Sequence, residues 1–161
     1  MTVSPQAYHP AQKILHWVVV LGILAQWALN EPIVRVIEAM QTGGTPVDGD
    51  MTMALVHVSI GSAIFLSVLA RLVLRMRHGV PDHAPGTPEM QAQIATWMHR
   101  ALYATLIAMV ITGGMTWNGV AQLGDLHFYF NILLFALALA HAAAALFNQF
   151  VRKDGTLRRM M

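Results

Sequence analysis

Apolar residues are concentrated in four long runs, and connections rich in glycine, proline and polar residues separate them. Each run approaches the roughly 20 residues that an α-helix needs to cross a bilayer. Helices joined by short connections pack as antiparallel neighbours. The pattern therefore predicts an all-α fold, an integral membrane four-helix up-down bundle. The predicted spans are residues 14–30, 53–73, 96–117 and 126–151 of a single domain covering 1–161.

The composition supports lipid rather than water as the main solvent. Hydrophobic residues make up 56% of the chain and charged residues only 11%, against about 25% charged in soluble domains. One such run could be a buried core helix, but four would leave no polar face. The absence of cysteine excludes disulfides, iron–sulfur clusters and covalently attached c-type haem. The net charge of +2 gives no indication of nucleic-acid binding.

Basic residues outside the predicted spans lie mainly on one side of the membrane. Lys13 precedes the first span, and the others on this side follow the second and fourth spans: Arg75, Arg77, Arg152, Lys153, Arg158 and Arg159. The opposite connections carry only Arg35. Because positive charge favours the cytoplasmic side, both termini are predicted to be cytoplasmic. The first 13 residues contain no apolar stretch, so no cleavable signal peptide is predicted.

Four histidines fall within or at the edges of the predicted spans, where an ionisable residue usually has a function. His127 and His141 are 14 residues apart, which in a helix is about 21 Å and about 40° short of four turns. They therefore share a face at two depths, and His57 and His16 match those two depths. A b-type haem iron takes one imidazole from each side. The spacing predicts two haem b groups, with iron ligands paired as His57/His127 and His16/His141.

Two glycines and two arginines are candidates for contacts with such a cofactor. Gly61 lies four residues after His57, and Gly113 lies 14 residues after His99. These glycines either make room for a flat macrocycle or serve ordinary packing between membrane helices. Arg71 lies at the inner level, where it can pair with a haem propionate or extend to lipid headgroups. Arg100 lies at the same level and is the alternative partner for that propionate. The patterns identify no catalytic residue.

His99 is a third histidine at the inner depth. Since His16 and His141 fill both axial positions there, His99 has several alternative roles. It can replace one of those ligands, contact a propionate, or relay protons to a quinone. It can equally be a polar residue at the membrane interface without any of these roles.

Several segments together resemble the bacterial cytochrome b561 family over nearly the whole chain. They are residues 14–17, 57–61, 70–75, 99–103, 141–145 and 153–161. The resemblance implies a four-helix bundle in the bacterial cytoplasmic (inner) membrane, two haem b groups and electron exchange with ubiquinone. It implies the ligand pairs His16/His141 and His57/His127, and it matches His99 to a family histidine that is not an axial ligand.

The predicted function is electron transfer across the lipid bilayer, to or from quinone. The resemblance adds superoxide as a donor at the outer face, although acidic outer connections do not suit an anion. An alternative is a haem-bearing anchor subunit that serves a dehydrogenase or hydrogenase as its redox partner protein. Short connections offer little docking surface and favour a stand-alone protein. A haem-free metal transporter would require acidic ligands in the spans, and the span interiors contain no Asp or Glu.

Overall fold

A computed structural model of the chain describes residues 7–161, and in this part the chain forms helices and no strand. The helices are α1 Pro10–Ala28, α2 Asn30–Thr42, α3 Asp50–His78, α4 Glu89–Trp117 and α5 Gly124–Phe150, followed by a 3₁₀ turn, Leu157–Arg159. The all-α prediction is thus confirmed for these residues. The first six residues of the predicted 1–161 domain lie outside the described part.

Four of the helices, α1, α3, α4 and α5, are long and apolar enough to cross a membrane. Two of the predicted spans lie within these helices, although α3 continues to His78 and α4 begins at Glu89. The additional helical turns of α3 and α4 contain polar and basic residues, so a prediction based on apolar runs did not include them. The other two spans were predicted slightly too long at their ends, because α1 ends at Ala28 and α5 ends at Phe150. At the start of α1, the His9 side chain accepts a hydrogen bond from the Ala11 amide, and Pro10 occupies the first turn, where its missing N–H costs nothing.

Helix α2 corrects the prediction that the chain between the first two spans is only a connection rich in glycine, proline and polar residues. Pro32 lies in the first turn of α2, a position that tolerates proline. Ile33, Val36, Ile37 and Met40 recur at helical spacing, and Val36 is completely buried. The helix ends at Gly43, whose φ of 70° suits the left-handed conformation of a helix terminus. The segment is therefore a short amphipathic helix that packs on α3.

The long helices pack as two close pairs, α1 with α3 and α4 with α5, and α3 also contacts α4. Helices α1 and α5 meet through side chains, since the Trp27 indole donates to Asn131 Oδ1 at 3.0 Å. The shared core is formed by Val19, Ile64, Val68, Leu106 and Leu134. Large apolar side chains cover much of the outside; Leu21, Leu66 and Leu139 are each more than 60% exposed. Such a surface is suited to lipid.

We expect the Val36→Ala substitution to lower the free energy of unfolding by roughly 2 kcal/mol, because it removes two buried methyl groups and leaves a cavity. Val36 has no exposed surface. The matched control is Val34→Ala on the same helix, where the side chain is 53% exposed. Thermal unfolding in detergent micelles should separate the two variants. Equal unfolding temperatures would show that α2 does not pack stably on α3.

Candidate functional site

Three histidines from three helices meet at the end of the bundle where α1 begins and α5 ends. We call this end the inner end and the opposite end the outer end. The rings of His16 on α1 and His141 on α5 have centroids 6.3 Å apart at an interplanar angle of 71°. The ring of His99 on α4 lies 5.1 Å from His141 at 74°. The structure therefore brings His16 and His141 together, as their depths predicted, with His99 beside them.

The spacing of His16 and His141 suits a metal held between them. Two imidazoles bound to one first-row metal, with each nitrogen about 2 Å from it, would have ring centroids about this far apart. His99 is oriented by its own helix, because its Nδ1–H donates to the Ala95 carbonyl at 2.7 Å. The carbonyl can only accept, so the tautomer of His99 is fixed.

Arg71 lies two turns inside α3 rather than near its end, since α3 continues to His78. Its guanidinium donates to the Tyr103 hydroxyl and to the Gln12 carbonyl, both at 3.3 Å. Gln12 is itself 4% exposed, and its amide donates to the Gly79 carbonyl at 3.2 Å. Arg71 is thus directed at protein groups within the bundle and not at lipid headgroups.

These groups line a small polar cavity beside the inner histidines. Its wall is formed by Tyr8, Gln12, Arg71, Arg75, Val80, His99, Tyr103 and Met160. Burial raises the pKa of the Tyr8 phenol, while the nearby Arg75 acts in the opposite direction. The cavity therefore combines two cations with neutral hydrogen-bonding groups, a set suited to carboxylates. Tyr8, Gln12 and Tyr103 were not predicted, because nothing in their local sequence marks them.

The chain after α5 folds back over this end of the bundle. The Trp17 indole donates to the Met160 carbonyl at 3.1 Å, and Arg159 donates to the Asp82 carbonyl at 2.6 Å. Trp17 also contacts the ring of its neighbour His16, with centroids 5.6 Å apart. The tail is therefore attached to the helix that carries one of the inner histidines.

At the outer end, His127 is held against α4. Its Nδ1–H donates to the Met109 carbonyl at 2.9 Å, and the Thr112 hydroxyl lies 3.2 Å from the same nitrogen. Because Nδ1 carries the proton, the lone pair of a neutral His127 is on Nε2. Metal-ligating histidines typically donate their other ring N–H to a carbonyl or carboxylate in this way. A Cβ built on Gly113 would lie 2.9 Å from His127 Cε1, so the close approach requires glycine.

His57, the other predicted outer ligand, is on α3, and its Nδ1 is buried without a hydrogen-bond partner. A buried polar atom without a hydrogen-bond partner raises the free energy of the folded protein unless a ligand binds it. The Gln26 amide donates to the His57 carbonyl at 2.9 Å, and a Cβ on Gly61 would lie 3.1 Å from that amide nitrogen. Gly61 therefore makes room for Gln26 of α1. The ring contacts that link the inner histidines do not extend to His57 and His127 in the described part of the chain.

The chemistry of these groups fits a haem better than a metal ion bound by the protein alone. Between residues 7 and 161, no group of three or more His, Cys, Asp or Glu side chains could hold a metal ion. A haem iron needs only two protein ligands. The buried orphan nitrogen of His57 and the fixed tautomer of His127 are suited to that need.

An apolar helical bundle with partly buried histidines at two levels defines a class, the multi-pass helical membrane protein with histidines on several of its spans. The prokaryotic cytochrome b561 family matches residues 7–161. Cytochrome b562 of Cereibacter sphaeroides is 30% identical, with 100% of this chain and 98% of the relative covered. Cytochrome b561 homolog 1 of Escherichia coli (strain K12) is 27% identical, with 96% of each chain covered. A protein of Yersinia pestis named "Probable superoxide oxidase CybB" is 28% identical over 96% of this chain and 95% of that protein.

This chain belongs to the prokaryotic cytochrome b561 family. The resemblance inferred from its motifs is thereby confirmed. Membership makes it a bacterial multi-pass membrane protein of electron transfer, in a family that uses b-type haem.

Proposed function

We propose that this protein is a dihaem b cytochrome that carries electrons across the bacterial cytoplasmic membrane and exchanges them with quinone. The observation that supports it best is the meeting of His16 and His141 at 6.3 Å inside a bundle with apolar outer faces. His127 lies about 21 Å further along α5 on nearly the same face. Two haems at these levels would divide the width of the membrane between them.

In this proposal, His16 and His141 hold the iron of the inner haem, and His57 and His127 hold that of the outer haem. Each bound iron supplies one-electron chemistry, because it alternates between the ferric and ferrous states. His99 is not a ligand; it packs against His141 at 5.1 Å and limits the movement of that ring. Met109 orients His127 through the hydrogen bond to Nδ1.

Arg71 is the proposed partner of an inner-haem propionate. Its contacts with Tyr103 and Gln12 keep the guanidinium inside the bundle, where a cation needs an anionic partner. Arginine binds carboxylates well because its parallel N–H groups can reach both oxygens. Gly61 acts on the outer site indirectly, because its missing Cβ lets Gln26 hold the backbone of His57.

The proposed topology is an up-down four-helix bundle of one domain, with both termini cytoplasmic and α2 at the outer face. The excess of Lys and Arg on the side of the termini supports this orientation. Only residues 118–123 connect the end of α4 to the start of α5. Such a short connection offers little surface to a separate dehydrogenase or hydrogenase and supports a stand-alone protein over an anchor subunit.

Superoxide is a second candidate donor, because a relative of similar length carries the name of a superoxide oxidase. An anion approaching the outer face would be attracted by unneutralised positive charge. Arg35 is the one basic residue of the outer connections, and both oxygens of Asp50 accept hydrogen bonds from it at 2.7 and 2.8 Å. We therefore favour quinone over superoxide as the redox partner at the outer face.

A spectrum of the purified protein in detergent tests the haem content. After reduction with dithionite we expect b-type absorption bands, and extraction of the pigment should give two haems per chain. Addition of decylubiquinone should then reoxidise the haems, because electrons pass on to quinone. A preparation supplied with haem that shows no b-type bands would contradict the proposal, and a co-purifying soluble dehydrogenase in equal amount would favour the anchor subunit.

A further inference from the structure

A cavity of about 200 Å³ lies at the outer end of the bundle, between α2 and the α4–α5 connection. Its lining residues are Ile37, Met40, Gln41, Thr116, Trp117, Gly119, Ala121 and Gln122. Drug-sized ligands occupy pockets of about 300–1,000 Å³, so this cavity has room for a single substituted ring. We call it the outer cavity.

The lining of the outer cavity is uncharged. Ile37, Met40 and Trp117 supply apolar and aromatic surface, while the amides of Gln41 and Gln122 can each donate and accept hydrogen bonds. No Asp, Glu, Lys, Arg or His is among the lining residues. Such a mixture suits a neutral ring with polar substituents, because an ion would lose its hydration without gaining a charged partner.

Two threonines of α4 lie between the outer cavity and the outer histidine. The Thr116 hydroxyl in its wall donates to the Thr112 carbonyl at 2.9 Å, and the Thr112 hydroxyl lies 3.2 Å from His127 Nδ1. The Leu123 amide also donates to the Thr116 hydroxyl, at 3.2 Å, which fixes the connection over the cavity. Thr116 and Thr112 are one helical turn apart, about 6 Å along the axis. A bound molecule would therefore be close to the outer haem.

The charge around the outer cavity gives an anion no attraction. Helix α2, which forms one wall, carries Arg35, but that cation is bound by Asp50 and lies 3.7 Å from Glu31. The remaining charged residues of the outer connections are acidic: Glu38, Asp48 and Asp125. The electrostatic field on this side therefore repels anions and leaves neutral molecules unaffected.

We propose that the outer cavity binds an uncharged, ring-sized organic molecule with hydrogen-bonding oxygens, the chemical class of quinone and hydroquinone headgroups. This inference rests on the proposed function and locates its electron exchange at the outer face. Oxidation of a bound hydroquinone to the quinone breaks two O–H bonds and releases two protons and two electrons. The two protons would leave to the outer aqueous side, and the two electrons would pass to the haems held by the proposed histidine pairs, one electron to each.

The test measures binding of decylubiquinone to the haem-loaded protein in detergent, by the quenching of tryptophan fluorescence. The variants Gln41→Leu and Gln122→Leu each remove one amide and keep a similar volume. We expect each to weaken binding about three- to tenfold, the effect of losing one hydrogen bond. A third variant, Ala121→Trp, should abolish binding by filling the outer cavity. The matched control is Gln93→Leu, because Gln93 is an exposed glutamine at the other end of the bundle.

Two results would overturn the inference while leaving the proposed function intact. One is unchanged binding of decylubiquinone in all three cavity variants with both haems retained. The other concerns the rate at which superoxide reduces the haems. If Ala121→Trp and rising salt slow this rate equally, the outer cavity binds an anion instead. Failure of the proposed function has a different signature, because the unmodified protein would then lack b-type bands.

Discussion

Replacing His141 by alanine is expected to remove about half of the haem and to leave the other half spectroscopically normal. The inner iron would lose one of its two imidazoles, whereas His57 and His127 are about 21 Å away along the helix axis and remain unchanged. Pigment extraction should give one haem per chain. A redox titration that shows two components in the unmodified protein should show one in His141→Ala.

The control for this prediction is His99→Ala, because His99 is partly buried in the same cluster, with its ring centroid 5.1 Å from that of His141. It should retain both haems, although the midpoint potential of the inner one can shift. The double variant His99→Ala/His141→Ala should behave like His141→Ala. Retention of two haems by His141→Ala would refute the pairing of His16 with His141, and loss of one haem in His99→Ala would assign His99 as a ligand.

Alanine at position 113 is expected to displace His127 and to weaken binding of the outer haem. The added Cβ would lie 2.9 Å from Cε1 and 3.1 Å from Nδ1 of the imidazole. The ring is rigid and is held by Met109 through Nδ1 at 2.9 Å, so it can yield only by breaking that hydrogen bond. Overpacking of this kind costs about 1–3 kcal/mol. Thermal unfolding and pigment extraction measure the effect.

Gly114→Ala is the matched control for Gly113→Ala, since it lies on the same helix and its added Cβ would meet no atom within 4 Å. Alanine in a helix interior is favoured over glycine by roughly 0.5–1 kcal/mol, so Gly114→Ala should be neutral or slightly stabilising. It should also keep both haems. If Gly113→Ala is as stable and as fully loaded as Gly114→Ala, the close approach of His127 to α4 is not required for haem binding.

Much of the candidate site could be predicted because it depends on position along single helices. The depths of His16, His57, His127 and His141 follow from the limits of the apolar runs and from the rise per residue. The neighbours of these residues could not be predicted in this way. That Arg71 meets Tyr103 on α4 and Gln12 on α1 depends on how three helices are rotated about their axes.

The order of residues along the chain was enough to predict the four apolar helices, the depths of their histidines and the resemblance to the cytochrome b561 family. These properties are local, because apolar length and helical rise need no information about neighbouring helices. Three features became known only from the packed helices: residues 30–42 form the helix α2, Gly113 accommodates His127, and the lining of the outer cavity is uncharged. Each of these depends on side chains from different helices meeting at particular rotations and spacings, which hydrophobic periodicity does not fix.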